Sequence, residues 1–448
     1  VIRWTSLALA PWLLAATPAP GPWTLDDCVR SALAQDPRLV EARARTAQWH
    51  ARRDEIASVY RPKLSALGWL APTYGVRGTG ADRLVSYDFR SWGPYVRLQV
   101  TALLPLTTFG AAEAALAAAD ARARVELARE DELRLRLARQ VRELHASLQF
   151  ARSMVAALDF ALVHVRQAER VAADWLTEGD GRVTQVEFDR LRFGRLEAER
   201  WRQVANDGAD AALAALKWAV GLPAEATLTL ATAQLPQLAD TPPPLPLPEA
   251  LTEAAARRPE WRQVRHGRYA AAALVEAERR AVAPVLGVAG QLELGWSPVR
   301  DDDPNPYHLD PFNIVQGGVA LALLWSFDPA RSQALVAGAR AVSAEVEAQA
   351  AQAAAGIDLQ VRRANNALHQ AREHARRAGE QVRAAQRWLL FASAAYEAGT
   401  GEARDLLDGL AAYVAARRTQ AESLRDVLLA WAELWQVTGT DPLAQATP

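Results

Sequence analysis

The sequence predicts a mainly α-helical protein with a small β part: long antiparallel coiled-coil helices plus four strands long enough to cross a bilayer. Three observations predict it. The 25 prolines leave two long gaps, Pro105 to Pro223 and Pro329 to Pro442, and an interior proline costs a helix about 3 kcal/mol. Apolar residues in the first gap recur at a mean spacing of 3.5. Short segments outside the gaps alternate apolar and polar residues with period two.

In chain order, Arg3 precedes an uncharged apolar run, Trp4 to Ala16, and then Thr17-Pro18-Ala19-Pro20-Gly21-Pro22. That is the form of a secretory signal peptide, expected over residues 1–21. The run is shorter than the roughly 20 residues a spanning helix needs, and no later uninterrupted apolar stretch reaches that length. A first copy of one pattern is expected over 22–231, with strands near 63–77 and 93–106 and helices near 108–176 and 183–220. A Pro-rich linker, 232–248, contains Thr241-Pro-Pro-Pro-Leu-Pro-Leu-Pro248. A second copy follows over 249–441, with strands near 285–297 and 313–326 and helices near 329–397 and 403–438. Residues 442–448 form a tail.

Ordered matches carry the duplication. Leu25, Pro37, Pro62 and Gly68 are answered 222 residues later by Leu247, Pro259, Pro284 and Gly290. Gly179-x-Gly181 recurs as Gly399-x-Gly401 at an offset of 220, and Gly221 returns as Gly439.

The seam of the first long helix is Leu137, Val141, Leu144, Leu148, Ala151, Val155, Leu158, Leu162 and Val165, in steps of four and three. Such spacing keeps one apolar edge against a partner helix. A helix from Ala111 to Leu176 is roughly 100 Å long at 1.5 Å per residue, so the molecule is expected to be elongated. A helical bundle or solvated rod would need only this seam. The segments between the helices decide the matter.

Val96, Leu98, Val100 and Leu104 alternate with Tyr95, Arg97, Gln99 and Thr101. Val288, Leu292, Leu294 and Trp296 oppose Gln291 and Glu293, while Val319, Leu321, Leu323 and Trp325 repeat the period. Leu64 to Val76 is extended by context but alternates poorly. Ten or so residues suffice for a tilted strand to cross a membrane. Aromatics gather at 60–109 (Tyr60, Trp69, Tyr74, Tyr87, Phe89, Trp92, Tyr95, Phe109) and again at Trp296, Tyr307, Phe312, Trp325 and Phe327, as suits a membrane interface. The polar loops Arg77–Trp92 and Pro298–Pro311 are expected outside. Four strands cannot close a barrel, and open edges in lipid cost several kcal/mol per unpaired group. Membrane strands therefore require an oligomer: two copies give eight strands, three give twelve.

Composition removes other functions. Basic residues number 51 against 52 acidic ones, so the broad positive field of a nucleic-acid binder is missing. One cysteine, Cys28, excludes a disulfide framework and a cysteine-rich metal site. The seven histidines show no zinc spacing; His369 and His374 fall on different helix faces. There is no His-Glu-x-x-His, Gly-x-Ser-x-Gly or phosphate-binding glycine loop. No catalytic residue, metal or cofactor is expected.

The order of elements resembles the TolC family of bacterial outer-membrane efflux proteins. The resemblance rests on Tyr396-x-x-Gly399-x-Gly401-x-x-x-Asp405-Leu406-Leu407-Asp408 and on Leu25-Asp26-Asp27-Cys28-Val29-x-x-Ala32-Leu33-x-x-Asp36-Pro37. It implies a homotrimer whose strands complete a 12-stranded barrel in outer-membrane lipid above an α-helical tunnel in the periplasm. It also implies a passive exit duct for efflux or type I secretion, served by a periplasmic adaptor (membrane fusion) protein and an inner-membrane pump or secretion ATPase. Asp405 and Asp408 match the family's carboxylates at a narrow periplasmic entrance. Tyr396, with Thr184 and Gln185, falls at the gate, and the turn glycines Gly179, Gly181, Gly399 and Gly401 fall where the adaptor makes contact. The family's latch arginine is Gly401 here and a latch acid is Gln185, which implies weaker closure, or closure through Arg182 or Arg404. The competing expectation is a soluble periplasmic coiled-coil scaffold, with a single hairpin and no paired membrane strands.

Overall fold

The computed structural model describes residues 21–78, 86–179, 181, 183–301 and 312–445. The elements run α1 (Leu25–Gln35), α2 (Pro37–Ala57), β1 (Lys63–Arg77), β2 (Ser86–Thr107), α3 (Ala111–Glu178), α4 (Gln185–Ala219), α5 (Leu247–Arg257), α6 (Pro259–Arg280), β3 (Val285–Trp296), β4 (Ile314–Leu324), α7 (Pro329–Glu397), α8 (Ala403–Thr438) and α9 (Pro442–Gln445). They pack as two units, and each unit draws on both of the copies expected from the sequence.

One unit takes residues 21–40, 131–258 and 356–445. Its helices begin and end on local chemistry. Thr24 caps α1: its Oγ1 accepts from the Asp27 amide at 3.2 Å while the Asp27 carboxylate accepts from the Thr24 amide at 3.0 Å, closing two orphan donors reciprocally. At the far ends of α4 and α8, Gly221 (φ +77°) and Gly439 (φ +70°) take the left-handed conformation. The next amides, of Leu222 and Thr440, reach back to Lys217 and Trp435 at 2.9 and 3.0 Å, satisfying terminal carbonyls. Along α3, the seam residues Leu137, Val141, Leu148, Leu158, Leu162 and Val165 are buried.

Side chains bind the connecting segments of this unit to its helices. Gln149 donates to the carbonyls of Thr232 and Gln234, both at 2.9 Å. In the second copy Asn365 donates to the Leu245 carbonyl at 2.8 Å, and Arg372 to Thr241 Oγ1 at 2.6 Å. Arg142 holds Asp441 by two parallel bonds of 3.1 and 2.9 Å, with both side chains buried, and its guanidinium lies 4.6 Å from the centre of the Trp435 ring. Burial, then the positive charges of Arg142 and Arg152, lowers the pKa of neighbouring His145 to about 4. Cys28 is wholly buried and its thiol is pushed up to about 12 by burial, then by Asp27, so it is inert.

The other unit takes residues 41–130 and 259–355 and contains one antiparallel sheet in the order β1-β2-β3-β4. Its register sorts the residues onto two faces. Leu64, Leu70, Val96, Leu98, Leu292, Leu294, Val315, Val319 and Leu321 share one face, and Leu64, Val315 and Val319 are 74, 82 and 77% exposed. Ser65, Thr101, Gln99, Arg97, Gln291, Glu293 and Gln316 share the other. There the Ser65 and Thr101 hydroxyls meet at 2.5 Å, Gln316 donates to Glu293 at 2.9 Å, and Arg97 pairs with Glu293. One face is made for hydrocarbon and the other for water. Among the described residues the outer edges of β1 and β4 have no paired strand.

Three local features stand out, and the first differs from expectation. Residues 86–92, expected in an outer loop, continue β2. Beyond an irregularity at Tyr74/Gly75, Tyr87 pairs with Val76, and Tyr74 packs against Phe89, Tyr87 and Trp92 at 4.9 to 6.2 Å between ring centres. Cross-strand aromatic contact of this kind favours continued pairing. Phe109 (φ +52°) and Gly110 (φ +87°) bend the chain between β2 and α3. Finally, α3 is one described helix long and apolar enough to cross a membrane, with an 18-residue window of mean hydropathy 1.3. Its charges break every uninterrupted run, yet its alanines and leucines keep the average high; 39% of that window is buried, as in a packed helix. Residues 1–20 of the expected signal peptide (1–21), residues 79–85 and 302–311 of the expected outer loops, and residues 180, 182 and 446–448 lie outside the described residues.

Candidate functional site

The residues singled out by the sequence gather at the α3–α4 and α7–α8 turns, over one apolar core. That core contains Val165, Ala172, Val183, Leu191, Leu389, Tyr396, Leu406 and Leu410, drawn from both helical hairpins. The hairpins approach closely: a β-carbon at Gly194 would stand 2.6 Å from Leu407 Cδ2.

The two turns reverse the chain differently. In the first, Gly179 (φ +67°) and Gly181 (φ +66°) are left-handed, with open space around each. Thr184 then caps α4. Its Oγ1 accepts from the Glu187 amide at 3.3 Å and Glu187 accepts from the Thr184 amide at 2.9 Å. Gln185 is the first residue of α4 and is exposed. In the second turn Gly399 is left-handed (φ +75°), and the amides of Thr400 and Gly401 both donate to the Ala395 carbonyl at 3.0 Å. The chain curls so tightly that a β-carbon at Gly401 would stand 3.0 Å from Ala395 Cβ and from the Tyr396 nitrogen. Any side chain there is cramped, a large one such as arginine included.

Tyr396 points into the core. It is 2% exposed, its ring centre lies 5.7 Å from that of Trp175, and its hydroxyl has no hydrogen-bond partner. Burial, and then the negative charge of Glu187, pushes its pKa up to about 12, so it remains a neutral donor. The Thr184 hydroxyl is engaged with Glu187 of its own helix. Asp405 and Asp408 sit one turn apart in the opening turns of α8, exposed. Asp408 lies 3.6 Å from Arg404, an exposed pair of little energetic weight. Among the described residues no group of three or more His, Cys, Asp or Glu is arranged to hold a metal ion.

Two participants were not singled out in advance. Glu187 was readable, since Thr184-x-x-Glu187 before an apolar run is a capping-box signature. Trp175 left no comparable signal, because its partner is set by packing; Arg404, a candidate for closure, lies beside Asp408 of its own helix.

The second half of the chain also carries a likeness to a known family. Residues 250–440 match the outer membrane efflux protein family. The likeness to that family lies in this part of the chain. The fold is shared over nearly the whole length. The outer-membrane channel OprN aligns with a TM-score of 0.75 at 18% identity, covering 93% of this chain and 90% of that one. VceC of Vibrio cholerae gives 0.71 at 16%, covering 93% and 96%, and CmeC of Campylobacter jejuni 0.70 at 15%, covering 93% and 85%. At such identities the likeness speaks for the efflux-protein fold alone. The chain has no match among curated protein sequences.

Proposed function

We propose that this chain is the outer-membrane exit duct of an efflux or secretion assembly. Three copies complete a 12-stranded barrel in the lipid and a helical tunnel in the periplasm. The observation that carries the reading is the sheet: four paired strands, one apolar and largely exposed face, and two open edges, in a chain whose residues 250–440 match the outer membrane efflux protein family. A soluble scaffold has no use for such a sheet.

The duct does no chemistry; an adaptor and an inner-membrane pump or secretion ATPase drive transport. The turns at Gly179, Gly181, Gly399 and Gly401 meet the adaptor. Asp405 and Asp408, brought round a three-fold axis, make the periplasmic mouth attractive to cations, because converging like charges favour counter-ions. Closure is weak. Gly401 has no side chain to bond across the mouth, Thr184 is occupied by its own helix, and Tyr396 is turned into the core.

Planar-bilayer recording of the purified protein tests this. Steady, cation-selective conductance is expected without any partner protein. A resting conductance near zero would reject weak closure, and release of the protein by osmotic shock without detergent would reject the duct.

A further inference from the structure

We propose that β4 of one copy pairs antiparallel with β1 of the next in the register that sets Ala320 opposite Ala71 of the partner subunit. The proposal rests on the oligomeric duct reading. Its argument is the repeat.

β3 stands for β1 at an offset of 222, since Pro62 and Gly68 return as Pro284 and Gly290. Lys63 faces Leu103, and its equivalent Val285 faces Leu324, so β4 stands for β2 at 324 − 103 = 221. The β2–β3 junction is therefore the internal version of the missing β4–β1 junction. Gln99 faces Glu293 there. Adding 221 to the first and subtracting 222 from the second gives Ala320 opposite Ala71.

An independent constraint agrees. Facing residues in a ladder lie on the same side of the sheet, and a slip of one residue would turn a strand's apolar set to the wrong face. The apolar face uses even positions of β1 (Leu64, Leu70) and odd positions of β4 (Val315, Val319, Leu321). Only registers that pair odd with even keep that face continuous. The repeat-derived register does so, setting Leu321 opposite Leu70 and Gly317 opposite Tyr74 of the partner subunit. All of β4 then finds a strand to pair with.

Proline fixes the bonding phase. Pro72 faces Pro94, and neither has an N–H, so that pair is of the non-bonded kind. Even positions of β1 thus direct their peptide groups to the open edge. Odd positions, Ala71 among them, form the close non-bonded pairs of the new seam, with α-carbons about 4.5 Å apart. Pro72 leaves the seam one donor short in any register.

Disulfide trapping reads the register directly, since a bond needs α-carbons within about 4.4–6.8 Å and a diagonal neighbour lies about 7–8 Å away. In a Cys28→Ala background, A71C/A320C is expected to yield disulfide-linked ladders up to the trimer in detergent under mild oxidation, lost on reduction. L67C/L324C, in the same register, is expected to do likewise. A71C/G318C and A71C/A322C, displaced by two residues, are expected to give none; Gly318 has open space for the new side chain. Ladders from a displaced pair in place of A71C/A320C overturn the register and leave the duct standing. A monomer that links in no variant overturns both.

Discussion

In the first copy the turn after the long helix ends on Thr184, whose side chain caps α4; in the second the corresponding turn ends on Glu402, which makes no side-chain cap. The contrast recurs at the far ends of those helices. A β-carbon on Gly221 would meet the Gln35 side chain, which can move, whereas one on Gly439 would stand 2.9 Å from the backbone of Arg257. It recurs again within the long helices, where buried His145 and buried Asn365 are separated by the same 220 residues as the glycine turns. The backbone path is alike at these places and the side-chain chemistry is not. At these three places the first copy has a capping hydroxyl, a movable side chain and an imidazole, the second an uncapped turn, main chain and an amide.

Acid should expose that difference most strongly. The pKa of His145 is lowered from 6.5 to about 4, so its contribution to stability is complete above about pH 6.5. It is lost as pH falls toward 4, because the unfolded chain takes up the proton first. The span is on the order of 3 kcal/mol. Denaturation midpoints at pH 7.5 and 4.5 should differ more for the natural protein than for His145→Gln; equal differences would remove His145 from the account. The glycine pair should come next. Left-handed backbone costs a non-glycine residue about 1–2 kcal/mol, which is the whole cost expected for Gly221→Ala. Gly439→Ala must also displace main chain, so its thermal midpoint should fall further. The smallest effect is at the caps: Thr184→Ala is expected to cost about 1 kcal/mol and Glu402→Ala close to nothing, by the same thermal scan. Equal losses would mean that the two turns are held alike.

Much of the fold was legible because it follows from local rules. Proline is excluded from helix interiors, and the two proline-free spans became α3 with α4 and α7 with α8. The alternation of Val96, Leu98 and Val100 with Arg97 and Gln99 marked the faces of β2. β1 was readable only from context, since Ala66, Gly68 and Ala71 blur its period, and its pairing with β2 supplies what its own pattern lacks. At the turns the sequence located the glycines and carboxylates but not their orientation. Nothing in Tyr396 or its neighbours in sequence says that it turns inward against Trp175, which precedes it by 221 residues. The cramped space at Gly401 is likewise a property of the curled backbone, invisible in residue identity.

The Arg142–Asp441 pair bears on how far the chain can be shortened. Asp441 lies beyond the end of α8, yet it answers a guanidinium shut away from water beside Trp435. Trimming that removes the aspartate would strand a positive charge in the interior, a loss of about 3–5 kcal/mol. The segment that follows α8 is thus a structural plug, and any change made there must leave Asp441 seated.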